Sequence, residues 1–181
     1  MKKYRKTDIL GVFIIDMIRN DDARGYFTRT YCADEFAAQG IDFKPVQASL
    51  SHNNSKGTLR GMHYQGPTAR ESKLVRCITG SVWDVMVDMR VDSPTYLKHF
   101  GIELSSDNGL SVYIPEFVAH GFQALVNGAQ VSYLMDSFYE SHQSRGIRFD
   151  DPVISIQWPL EVTLTSSRDL EWPLISSNHG K

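Results

Sequence analysis

A chain of 181 residues, 41% hydrophobic and 11% aromatic, can bury a core without staples, so neither disorder nor a disulfide framework fits it. Nineteen Lys and Arg against 21 Asp and Glu leave a formal charge of −2 with mixed signs, which argues against nucleic acid, because a phosphate backbone wants a basic face. The length fits one domain over residues 1–181. Cys32 and Cys77 match neither a zinc ribbon nor a CxxC pair and read as buried thiols in a reducing compartment. The opening MKKYRKTDIL lacks the apolar run of a secretory leader, and no stretch approaches the ~18 apolar residues of a membrane helix, so a cytoplasmic, membrane-free protein is expected.

In chain order, the β-branched run Gly11 to Ile18 predicts a strand. Arg24 to Tyr31 alternates with period two and predicts a half-exposed strand. Ala33 to Gln39, stopped by Gly40, is the convincing helix. Beyond Pro45 come short runs broken by turns: Thr58 to Gln65, Lys73 to Ile78, Ser81 to Arg90, Phe100 to Leu104, Leu110 to Pro115, Phe122 to Val126 and Gln130 to Leu134. Asn127-Gly128 reads as a tight hairpin. In Ser81 to Arg90, Trp83, Val85, Val87 and Met89 share one face, and Asp84, Asp88 and Arg90 make the other polar. The tail, with Trp158-Pro159 and Trp172-Pro173, reads as irregular structure wrapping the strands. The whole pattern predicts an all-β sandwich or barrel with one or two short helices.

Chemistry concentrates in Lys56 to Arg76, KGTLRGMHYQGPTARESKLVR, where two neighbouring strands carry His63, Arg60 and Lys73. A neutral histidine among cations suits a base that removes a weakly acidic proton. Strict alternation puts His63 with Leu59, Gly61 and Gln65, and Arg60 on the opposite face with Met62 and Tyr64. For both to line one pocket the strand must bend or bulge, and Gly61 is where it can. A metal-binding cupin would need HxH, a glutamate and a later histidine. Gln65 takes the second histidine's place, so Glu71 and His120 leave the set incomplete, and acid-base chemistry without metal or cofactor fits better.

The ordered segments GTLRGMHYQ at 57–65, KLVR at 73–76, DVMVDMR at 84–90, SPT at 93–95, IPEFVAHGF at 114–122, DDP at 150–152, WPL at 158–160 and SSRD at 166–169 resemble the dTDP-4-dehydrorhamnose 3,5-epimerase family, over nearly the whole chain. The resemblance implies a metal-free jelly-roll cupin and a homodimer, with N-terminal strands packing on the partner. It also implies epimerisation at carbons 3 and 5 of a 4-keto-6-deoxyhexose on a nucleoside diphosphate, dTDP above all. A relative that inverts carbon 3 alone, or a non-catalytic sugar-nucleotide-binding cupin, are the alternatives.

By the same resemblance His63 is the base, Asp169 its partner, Lys73 the stabiliser of the enolate oxygen and Tyr133 the proton donor on the opposite face. Arg24 and Arg60 correspond to diphosphate-binding residues. Gln47, His120 and Tyr139 correspond to groups that hold the sugar nucleotide, and Phe27 to one that reaches the partner subunit's nucleotide. Arg29, Ser49 and Arg168 complete the expected binding set. The chain departs from the family pattern at Arg29 and at Gln143 or Ser144, where glutamates are usual, at Ser49 for asparagine, and at Phe117 for glycine. None of these is His63, Lys73, Tyr133 or Asp169.

Overall fold

The computed structural model describes residues 3–175. The strands are β1 (Lys3–Lys6), β2 (Phe13–Asp16), β3 (Asn20–Asp22), β4 (Gly25–Phe27), β5 (Gln47–Asn53), β6 (Leu59–Gln65) and β7 (Lys73–Thr79). They continue as β8 (Ser81–Asp88), β9 (His99–Ser105), β10 (Leu110–Ile114), β11 (Val118–Ala124), β12 (Ala129–Met135) and β13 (Ser144–Gly146). Two one-turn helices, α1 (Ala33–Ala37) and α2 (Ser167–Glu171), interrupt them.

A six-stranded antiparallel sheet runs β1-β2-β10-β7-β12-β5, and a five-stranded one runs β13-β6-β11-β8-β9. From β5 to β12 each strand crosses to the other sheet, except that β8 and β9 stay neighbours, which is jelly-roll connectivity. Asn127-Gly128, expected to close a hairpin, therefore carries the chain from one sheet to the other. Its turn chemistry is sound, with Gly128 at φ 73° and the Asn127 Oδ1 accepting the Lys56 N–H at 2.7 Å. Turn residues choose a local bend; they do not choose which sheet the next strand joins.

Between the sheets pack Val75, Val112 and Val131 from one and Val82, Met86 and Phe122 from the other. Residues of β8 on the opposite face, Val85 and Val87 with Trp83 beside them, lie under the tail residues Ile154, Ile156 and Trp158. The polar face expected for β8 is thus buried as deeply as the apolar one, and Asp84 and Asp88 are fully enclosed. On the outer face of the six-stranded sheet, Phe36 of α1 packs against Ile15, Phe43, Leu74 and Tyr113. A one-turn helix without a side-chain cap is unstable alone, so this aromatic seat holds it. Arg24 to Tyr31 yields only the short β4, paired with β3 and exposed at every residue.

Asp88 ties the β8–β9 loop together. Its Oδ1 accepts from the Arg90 N–H at 3.0 Å and Nε at 2.7 Å, and its Oδ2 from Arg90 Nη2 at 2.8 Å and from the Ser93 and Thr95 hydroxyls, each at 2.6 Å. Burial pushes this carboxyl up, but those donors outweigh it and hold it below the ordinary carboxylate value. A depressed folded pKa gives stability that is complete above the unfolded value, near 3.8, and is lost as pH falls through the lower folded one. Asp88→Asn should therefore cost about 2 kcal/mol at neutral pH. Urea midpoints measured from neutral pH downward should show that difference shrinking below pH 3.8.

Candidate active site

The site begins with an irregularity in β6. On β11, His120 pairs with His63 and Phe122 with Arg60, so two steps on one strand face three on the other. That extra residue is a β-bulge, and it turns Arg60 and His63 to the same side, as their partners His120 and Phe122 are. Gly61 permits it: φ is +134°, and a Cβ there would stand 2.5 Å from the Gly121 Cα. Met62 and Tyr64 point the other way, under the tail. Gly61→Ala should cost about 3 kcal/mol and disorder the site, read as a lowered urea midpoint with loss of activity.

Both side chains open on a cavity of about 590 Å³ that Lys73, His120, Tyr133, Arg168 and Asp169 also line. A neighbouring hollow of about 280 Å³ shares His63, Lys73, Tyr133 and Arg168 and extends past Gln47, Ser49 and Tyr139. His63 Nε2 lies 2.6 Å from Asp169 Oδ1. The imidazole is 38% exposed while the carboxylate is 4% exposed, so His63 reaches the ligand space and its partner does not. Asp169 comes from α2, whose N-cap Ser166 Oγ accepts the Asp169 N–H at 3.1 Å, and Asp169 Oδ2 accepts the Gly61 N–H at 3.3 Å. Burial raises the Asp169 carboxyl, but His63, the Gly61 N–H and Ser166 hold it below its ordinary value, so it is charged at neutral pH.

The opposite wall belongs to the six-stranded sheet. Lys73 on β7 and Tyr133 on β12 are inward residues, cross-strand partners of Met135 and Val75 respectively. Glu71 Oε1 lies 3.1 Å from Lys73 Nζ. Burial pushes the Tyr133 phenol well above its ordinary value, and the Asp84 carboxylate adds to this while Arg60 opposes it. The hydroxyl is thus held in its protonated form at neutral pH. His120 stands edge-on to Tyr133, with ring centroids 5.9 Å apart, and its Nε2 is 2.7 Å from Asp84 Oδ1. Both partners are buried, and among the described residues Asp84 Oδ2 has no hydrogen-bond partner. Glu71 is thus paired with Lys73, and His120 with Asp84. Among the described residues no group of three His, Cys, Asp or Glu could hold one.

At the cavity rim, Arg60 is braced by Asn53 Oδ1 at 2.8 Å and the His52 carbonyl at 3.3 Å. Gln47 Oε1 accepts the Tyr139 N–H at 2.7 Å, and Arg168 Nη1 reaches the Tyr139 hydroxyl at 3.5 Å. The Arg168 hydrogen bond lowers the pKa of that phenol.

Three expected binding residues do not reach this cavity. Arg24 is 89% exposed and pairs with Asp22 at 2.6 Å, Phe27 is 73% exposed, and Arg29 faces Glu35 at 3.6 Å. They sit on or beside the β3–β4 hairpin, which lies outside both large sheets. Phe117 adopts a left-handed backbone at φ 59°, which costs a non-glycine residue about 1 to 3 kcal/mol, and its ring lies 5.7 Å from the Arg70 guanidinium. Asp84 was not among the expected site residues. The signal was there, since a carboxylate two positions from Met86 on a core face needs a partner across the sheet.

The placement of His63 and Tyr133 on facing walls of one cavity suits isomerisation by proton transfer, and the chain is an isomerase. Its family is the dTDP-4-dehydrorhamnose 3,5-epimerases, to which it belongs: the family profile matches residues 6–177. It is 40% identical over 166 residues to a dTDP-4-dehydrorhamnose 3,5-epimerase of Shigella flexneri, covering 91% of each chain. It is 35% identical over 175 residues to a dTDP-4-dehydrorhamnose 3-epimerase of Streptomyces niveus, covering 96% of this chain and 84% of that one. Among solved structures, a dTDP-6-deoxy-D-glucose-3,5-epimerase of Legionella pneumophila, in complex with dTDP-4-keto-L-rhamnose, superposes with a TM-score of 0.91. That match has 34% identity and covers 96% and 93% of the two chains.

Proposed function

We propose that the chain inverts carbons 3 and 5 of a dTDP-linked 4-keto-6-deoxyhexose, in dTDP-L-rhamnose-type biosynthesis, with His63 as base and Tyr133 as opposite-face acid. The observation that carries this is the placement of the two groups: His63 projects from the five-stranded sheet and Tyr133 from the six-stranded sheet into one cavity. Inversion at a carbon requires that its proton leave from one face and return to the other. A hydrogen beside a ketone is acidic because the enolate delocalises onto the carbonyl oxygen, so a cation is needed there, and Lys73 supplies it. Asp169 fixes the imidazole orientation and stabilises the imidazolium formed when His63 takes the proton. Tyr133 then gives its hydroxyl proton to carbon from the other wall, and solvent restores both groups. Repeating the cycle at the second α-carbon completes the double inversion.

Arg60 and Arg168 suit the diphosphate end, and Gln47, Ser49 and Tyr139 the nucleoside end of the adjoining hollow. Phe27 and Arg24, exposed on a projecting hairpin, suit a homodimer in which they serve the partner's nucleotide. No described helix is long and apolar enough to cross a membrane, which accords with a cytoplasmic enzyme.

The test is solvent exchange in heavy water with dTDP-4-keto-6-deoxyglucose. Deuterium at both carbons is expected. Label at carbon 3 alone would support the second reading, a 3-epimerase, which the Streptomyces niveus relative favours. Tight binding without any exchange would sink both.

A further inference from the structure

We propose that Trp172 is a positioning residue of this site, holding the His63 imidazole and the Arg168 guanidinium in working orientation from behind the cavity wall. Trp172 is absent from the residues that line the cavity, yet it touches two that do. Its ring stands edge-to-face to His63, centroids 6.3 Å apart at 62°, and the Arg168 guanidinium carbon lies 5.3 Å from its centre. The indole is seated over β13. Gly146 is the cross-strand partner of His63, and a Cβ there would come within 2.3 Å of the ring. A glycine at that register position leaves the space the indole fills.

The need for such a part follows from α2. One helical turn carries both Asp169 and Arg168, and a turn alone does not hold its shape in water. Ser166 caps its start, Arg148 Nη1 bonds the Leu170 carbonyl at 3.0 Å, and Trp172 closes its end as the C-cap residue. Without the ring, His63 keeps its bond to Asp169 but loses the surface that limits its rotation, and Arg168 loses its stacking partner. Among the described residues the buried indole N–H has no hydrogen-bond partner, so the contribution lies in the aromatic face and edge. Phenylalanine retains both.

The inference rests on the epimerase reading above. Its test is steady-state kinetics and melting temperature of Trp172→Ala, Trp172→Phe and Trp172→Leu in the full chain, with dTDP-4-keto-6-deoxyglucose. We expect Trp172→Ala to lower kcat by about 10- to 100-fold through misplacement of the base, with a raised KM from Arg168. Trp172→Phe should recover most of both, and Trp172→Leu, similar in bulk to Phe but not aromatic, should not. Should Trp172→Ala fail to fold, the Phe-to-Leu comparison carries the same decision. Equal activity of the Phe and Leu variants, or unchanged kcat and KM in Trp172→Ala, would overturn the proposal while leaving the reaction intact. Absence of exchange by the wild-type chain would overturn the reaction and the proposal with it.

Discussion

Replacing His63 with asparagine is expected to abolish turnover and solvent exchange together while the protein stays folded. The side chain sits at the cavity wall, 38% exposed, and is not part of the packed cores, so its loss removes little buried apolar surface. Asp169 keeps its bonds to the Gly61 N–H and to Ser166, and the bulge that shapes β6 depends on Gly61. What disappears is the group proposed to accept the proton. A positioned general base is worth about 10² to 10⁴ in rate, and without it neither carbon can be deprotonated by the protein. The measurement is epimer formation beside deuterium incorporation at carbons 3 and 5. Incorporation at the wild-type rate in the variant would remove His63 from the role.

The strand pattern was legible because it is local. The alternation of β8, the turn-bounded run of β10 and the stop at Gly40 can be read within a few residues, and the structure has strands and a helix end there. What escaped were properties set across the sheet. Period two placed Arg60 and His63 on opposite faces, and only the pairing with β11 shows the extra residue that unites them. Gly61 marked where this was possible, since a glycine flanked by strand residues signals a bulge or a close approach. Asp84 looked like a residue of a polar face until β11 brought His120 to it. Arg24, Phe27 and Arg29 were assigned by resemblance, and nothing in their own sequence says that the β3–β4 hairpin stands apart from both large sheets. The proposed catalytic residues His63, Lys73, Tyr133 and Asp169 lie far apart along the chain, and the ordered family segments carried information that no single residue type held.

Tyr133→Phe should separate the two halves of the reaction. The substitution removes one oxygen and leaves the ring against His120, so the cavity keeps its shape. His63 and Lys73 are untouched, so proton removal and enolate stabilisation continue. The imidazolium exchanges its proton with solvent through its exposed side and can return a deuteron only to the face from which it took the hydrogen. Deuterium should therefore enter the substrate with its configuration retained, while inversion drops by about 10² or more because the second wall has no acid. In the parent enzyme burial and the neighbouring Asp84 carboxylate raise the phenol's pKa and keep it protonated at neutral pH. Product analysis by proton magnetic resonance resolves label from configuration at each carbon. Full inversion at both carbons by the phenylalanine variant would show that another group donates from that wall. Loss of labelling in step with inversion would place Tyr133 in the deprotonation step. If the two wall groups act as base and acid, retention with exchange is the one outcome that their separation onto opposite sheets allows.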